Sequence, residues 1–107
     1  MADQHTIDKL FATIRARAGS DPKKSYTAKL LAEGTLKIAK KLGEESVETA
    51  LAAVAQDKHA LAAESADLLY HLLVLWAASG LTPEEVYAAL DARANRSGLE
   101  EKAARKK

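Results

Sequence analysis

The segment from 61 to 78 constrains this chain more than any other. Leu68, Leu69, Tyr70, Leu72, Leu73, Val74, Leu75 and Trp76 would cover nearly every face of a helix. A helix apolar almost all round belongs at the centre of a fold. Its polar residues, Glu64, Asp67 and His71, fall within an arc of about 60° at the helical 100° per residue. Charged side chains are seldom buried without a partner or a metal. The helix therefore needs neighbours on most sides, and its one polar stripe needs a counterpart.

A second acidic pair supplies one. Glu45-Ser46-Val47-Glu48 repeats the i,i+3 spacing of Glu64-Ser65-Ala66-Asp67, and on a helix each pair lies on one face. The connection Gln56-Asp57-Lys58 is short, which makes antiparallel packing of the two helices the default. That packing brings Glu48 near Glu64 or Asp67. Four carboxylates converging from two helices repel one another at neutral pH. A hard divalent cation between them, Mg²⁺ or else Mn²⁺, would relieve this, because all the ligands are oxygens. Di-iron bundles also carry inward acids but use a Glu-x-x-His motif on each of two helices, and neither pair here has it. Glu44 and Glu45 alone would read equally well as solvated surface charge.

The rest of the chain is helical by pattern. Thr6 can cap a first helix whose apolar spacing is Ile7, Leu10, Phe11, Ile14, and the turn residues 18–22 end it. Ser25 or Thr27 caps a second, stopped by Gly34. A third runs from about 36 to 56, with Val47, Ala50, Leu51 and Val54 as its core stripe. Gly43 lies inside it, where it either bends the helix or allows a close approach. The fourth runs from about 59 to 79 and stops at Gly80. Thr82-Pro83-Glu84-Glu85 is a strong start for a fifth, with Thr82 as cap and Glu85 closing a capping box. The expected fold is all-α: a bundle of about five helices around a central antiparallel pair, in one domain over 1–107, with a charged, flexible tail from about 98. So much apolar surface in so small a chain also predicts a homodimer formed by helix packing.

Composition closes off other chemistry. With no cysteine among 107 residues, thiolate catalysis, disulfides and Cys-bound zinc are excluded. The net charge of +1 gives no reason to expect a nucleic-acid partner. The start Met-Ala-Asp-Gln-His lacks the basic-then-apolar run of a secretion signal, and Glu64, Asp67 and His71 interrupt the best candidate for a membrane span. A cytoplasmic protein without a membrane partner is expected. His71 offers a base, a phosphate contact or simply a partner for a neighbouring acid. Lys37, Lys40 and Lys41 either bind phosphate or solvate their face. Trp76 and Tyr70 read as core or dimer contacts, and His5 and His59 as surface residues.

The pattern Glu45-x-x-Glu48, a spacer, then Glu64-x-x-Asp67 resembles the signature of the all-α nucleoside triphosphate pyrophosphohydrolases. Three stretches, 25–31 (Ser-Tyr-Thr-Ala-Lys-Leu-Leu), 40–45 (Lys-Lys-Leu-Gly-Glu-Glu) and 67–71 (Asp-Leu-Leu-Tyr-His), resemble the phosphoribosyl-ATP pyrophosphatase family of histidine biosynthesis. Arg93 and Ser97-Gly98-Leu99-Glu100-Glu101-Lys102 match that family's ending. The resemblance implies a homodimer and Mg²⁺-dependent hydrolysis of phosphoribosyl-ATP to phosphoribosyl-AMP and pyrophosphate. On it, Glu45, Glu48, Glu64 and Asp67 hold the metal, and Glu44 or Glu45 is the candidate to accept the water proton. Lys40, Lys41 and Arg93 neutralise phosphate charge, while Ser25, Tyr26, Ser97 and Gly98 shape the ribose-phosphate end. Two alternatives stand beside it: a housekeeping nucleoside triphosphate pyrophosphohydrolase, and a non-catalytic helical module that dimerises through its Leu-Trp face.

Overall fold

A computed structural model describes residues 5–94. Among them are five helices and no strand: α1 (Thr6–Arg17), α2 (Tyr26–Glu33), α3 (Thr35–Val54), α4 (Lys58–Ser79) and α5 (Pro83–Ala94). The tail expected from about 98 lies outside the described residues.

Local signals set most of the boundaries. The Ser25 hydroxyl caps α2 by accepting from the Ala28 amide at 3.1 Å, which decides between the two expected caps. Asp57 caps α4 through Ala60 N–H at 3.0 Å. Thr82 and Glu85 form the reciprocal capping box: Glu85 Oε2 accepts from Thr82 N–H at 2.9 Å, and Thr82 Oγ1 from Glu85 N–H at 3.3 Å. At α1 the cap is His5 rather than Thr6, its Nδ1 accepting from Ile7 N–H at 3.2 Å. The imidazole reaches the orphan amide as a Ser oxygen would. The turn from α3 to α4 closes by crossed hydrogen bonds, Asp57 N–H to Ala52 C=O at 3.3 Å and Gln56 N–H to Ala53 C=O at 3.0 Å. This Schellman arrangement puts Gln56 in the left-handed region, at φ 59°.

α4 is the central helix. It makes its largest interface with α3, antiparallel, and also packs on α1 and α2. A core of Phe11, Ile14, Leu30, Ile38, Leu73 and Val74 joins four helices, with Tyr70, Leu75 and Trp76 packed against it. By length and composition alone α4 could cross a membrane despite its interrupting polar residues; three other helices pack on it. α5 is tied to α1 by the Tyr87 hydroxyl, which donates to Asp8 Oδ1 at 2.8 Å.

The face that α3 turns inward differs from the expected one. Its buried and half-buried positions are Ile38, Lys41, Leu42, Glu45, Thr49 and Ala52. The expected core stripe faces solvent, with Val47 59% exposed, Leu51 62% and Val54 79%. α3 carries an apolar face and a mixed one that bears Ile38 and Leu42, and α4 can cover only one of them. The choice goes to the face in phase with Ile38, which alone on α3 is fully buried. Gly43 neither breaks α3 nor admits a neighbour, since a Cβ there would meet nothing within 4 Å.

Candidate functional site

The inward face of α3 sets a carboxylate in the middle of a helix interface. Glu45 follows Leu42 and precedes Thr49 on that face, and it meets Glu64 from the first half of α4. The Thr49 hydroxyl lies 2.8 Å from the Glu45 carbonyl oxygen and 3.2 Å from the Glu64 carbonyl oxygen. One donor thus bridges the two helices where both acids emerge, and this fixes their mutual register. Sequence reading missed Thr49. Its only signal was its place four residues after Glu45 on the same face.

Oxygens of Glu45, Glu48 and Glu64 lie within 4.8 Å of one another. Glu45 and Glu64 are half-buried and Glu48 is exposed. One oxygen of Glu45 and one of Glu64, both Oε1, are buried without any hydrogen-bond partner. A buried carboxylate oxygen without a donor is costly, and like charges gathered this closely add repulsion. Both costs fall if a cation sits among the three. The donors are all carboxylate oxygens, some buried and one open to solvent. That set suits Mg²⁺ or Mn²⁺, which keep room for water or substrate oxygens.

The other expected site residues lie around this cluster with differing clarity. Asp67, one turn beyond Glu64, is exposed and is not one of the three clustered acids. Glu44 turns outward and pairs with Lys41, Nζ to Oε1 at 3.8 Å. Lys40 is exposed. Arg93 is exposed near the end of α5, a helix whose main contact is with α1. Ser25 spends its hydroxyl on the α2 cap. Ser97 and Gly98 lie outside the described residues.

Tyr26 opens a second polar group on the same side of α4. Its hydroxyl is 3.4 Å from His71 Nε2, and its ring stacks on Tyr70 with centroids 6.2 Å apart. His71 is 5% exposed. Its Nδ1 lies 2.8 Å from the Asp67 carbonyl oxygen. A carbonyl can only accept, so Nδ1 carries the hydrogen and Nε2 is left to accept from Tyr26 in the neutral ring. The expected acid partner of His71 is thus the backbone of Asp67 and not its carboxylate. The Tyr70 hydroxyl pairs with Thr27 Oγ1. Burial pushes the Tyr70 phenol above its ordinary value, and the Thr27 hydrogen bond partly opposes that.

Comparison with known proteins gives the family of the chain. The phosphoribosyl-ATP pyrophosphohydrolase family model matches residues 7–94. The chain is 59% identical over 100 residues to the phosphoribosyl-ATP pyrophosphatase of Azospirillum brasilense, covering 94% of this chain and 90% of that one. It is 61% identical over 99 residues to the protein of that name from Caulobacter vibrioides, with 92% of each covered. Against the one from Parvibaculum lavamentivorans it is 59% identical over 104 residues, 97% of this chain and 95% of the relative.

Proposed function

This chain belongs to the phosphoribosyl-ATP pyrophosphohydrolase family, and from that premise we propose that Glu45, Glu48 and Glu64, with Asp67 beside them, hold the Mg²⁺ of its reaction, or Mn²⁺ in its place. The protein is a hydrolase that converts phosphoribosyl-ATP to phosphoribosyl-AMP and pyrophosphate in histidine biosynthesis. The observation that supports the metal reading is the pair of buried, unpartnered carboxylate oxygens, one from α3 and one from α4, on acids that cluster within 4.8 Å.

Bound there, the ion would screen the triphosphate and lower the cost of forming a nucleophilic hydroxide at the α–β linkage. The side chains do the rest. The Thr49 bridge between the Glu45 and Glu64 backbone carbonyls sets the register of the two helices, so both acids start from a fixed backbone position when substrate arrives. Glu48, open to solvent, meets substrate and water at the mouth of the cluster. Of the two candidates to accept the water proton, Glu45 lies inside the cluster, whereas Glu44 is not part of it and pairs with Lys41. Lys40, Lys41 and Arg93 supply positive charge for the phosphates, and Ser25, Tyr26, Ser97 and Gly98 shape the ribose-phosphate end.

The working form is a homodimer in the cytoplasm. Val47, Leu51 and Val54 give α3 an exposed apolar face that begins between Glu45 and Glu48. A second copy packed there covers it and closes the open side of the cluster.

The test offers phosphoribosyl-ATP and the common nucleoside triphosphates with Mg²⁺ and measures pyrophosphate release. Preference for phosphoribosyl-ATP, lost on chelation, is the expected result. Equal turnover of ordinary triphosphates would support a housekeeping enzyme instead. No turnover of any would leave the non-catalytic module.

A further inference from the structure

His71 is the buried polar side chain of α4 that the chemistry above does not use. Its surroundings are specific. Nδ1 is anchored on the Asp67 carbonyl at 2.8 Å, so the ring's tautomer and direction are set by the helix itself. Nε2 faces one partner, the Tyr26 hydroxyl at 3.4 Å. The ring also stands edge-on to Tyr70 at 5.1 Å and to Tyr26 at 6.1 Å. Tyr26 lies at the first turn of α2 and is 51% exposed. An exposed tyrosine at a helix start would ordinarily sample several rotamers. Here its ring is stacked on Tyr70 and its hydroxyl is pinned to a histidine that cannot turn.

Glu64, Asp67 and His71 share one stripe of α4, and His71 is seven residues beyond Glu64. At 1.5 Å per residue, that spaces His71, which holds the Tyr26 hydroxyl, roughly 10 Å along the helix from Glu64. A metal–phosphate contact, the span from that phosphate to a sugar hydroxyl and one hydrogen bond together cover a distance of that order. Building on the substrate reading above, we infer that His71 is a positioning residue. It holds the Tyr26 hydroxyl, with its free lone pairs outward, as an acceptor for a sugar hydroxyl of the bound substrate. Tyr26 touches the substrate; His71 acts through it. The Asp67 carbonyl completes the line, so the acid-bearing turn of α4 sets the position of the sugar contact.

The test uses the full chain with Mg²⁺ and phosphoribosyl-ATP, comparing wild type with Y26F, H71N, H71Q and the Y26F/H71N double variant. Loss of one neutral hydrogen bond to substrate raises KM by about tenfold at most, with kcat held within about twofold, as removal of uniform binding should do. H71N keeps a donor for the Asp67 carbonyl but has no group at the Nε2 position, so its KM should rise as in Y26F. H71Q restores an acceptor for the Tyr26 hydroxyl, and its KM should return toward wild type. The double variant should be no worse than either single one, since both break the same contact. A KM unchanged in Y26F and H71N would overturn the proposal, as would additive losses in the double variant. Lowered melting with an unaltered KM would overturn it too, because that marks a purely structural histidine. Should the wild type itself fail to hydrolyse phosphoribosyl-ATP, the substrate reading fails first and this inference with it, a result distinct from turnover without the KM pattern.

Discussion

The two ends of the α3–α4 pair are built on opposite terms. At one end, the start of α3 and the close of α4 meet α1 and α2 around Ile14, Leu30, Ile38, Leu73 and Val74, all nearly inaccessible. The side chains of that core find their cover within the chain, although Leu36 in the first turn of α3 is 87% exposed. At the other end the same two helices enclose Glu45, Glu48 and Glu64, two of them with unpartnered buried oxygens. Beside those acids, Val47, Leu51 and Val54 face solvent. One end is complete as folded. The other is short of positive charge and short of apolar cover, and in our account a divalent cation and a second subunit supply them.

Substitutions should separate these ends cleanly. The largest effect belongs to the complete end: Leu73→Ala should cost about 2–5 kcal/mol of unfolding free energy in denaturant titration. At the incomplete end, Glu48→Gln should lower pyrophosphate release by about 100-fold or more while leaving the helical circular dichroism intact. Near-normal activity in Glu48→Gln would remove that acid from the mechanism. Leu51→Ser should change the stability of the single chain by no more than about 0.5 kcal/mol, as surface changes do. Sedimentation should nevertheless show it shifting the dimer toward monomer, and an unchanged dimer would place the interface elsewhere.

Smaller effects probe the turns at the margins. Gln56 holds a left-handed φ of 59° without any polar function assigned to it, so Gln56→Gly should stabilise the fold by about 1 kcal/mol. Tyr87 gives the smallest signal. Burial, then the Asp8 carboxylate and Glu84, push its phenol from 10.0 up to about 12. The unfolded chain releases this proton first, so the stabilisation is whole below pH 10 and lost as pH rises through 12. Tyr87→Phe should flatten the fall in melting temperature over that window. A fall of equal steepness in the variant would deny the Tyr87–Asp8 tie any part in it.

Much of this division could be read before any coordinates. The polar stripe of Glu64, Asp67 and His71 on an otherwise apolar helix made α4 central, and the short connection at 56–58 set α3 antiparallel to it. The cap at Thr82 followed from its side chain, and Ser25 was one of the two caps that the sequence offered for α2. What periodicity could not decide was which face of α3 turns inward. By hydrophobicity Val47, Leu51 and Val54 outrank a face carrying Glu45 and Thr49, and a stripe count prefers them. A chain that pairs with a second copy, as we propose for this one, has two interiors, and apolar spacing does not say which one belongs to the single chain. The phase of Ile38, Leu42 and Glu45 held the answer. It becomes persuasive only once the buried face is allowed to carry a metal ligand. The Tyr26–His71 contact was likewise out of reach, because it joins residues 45 positions apart with no spacing rule between them.

The most direct test of the incomplete end is calorimetric titration of Mg²⁺ into the nucleotide-free protein, followed by thermal melting at the same ion concentrations. The account predicts saturable binding and a melting temperature that climbs with Mg²⁺, by the equivalent of about 2.7 kcal/mol at 100 times Kd. Glu64→Gln should abolish both and melt higher than wild type in the absence of ion, because one of the crowded charges is gone. Absence of binding heat together with a melt indifferent to millimolar Mg²⁺ would contradict the claim that these carboxylates form a cation site.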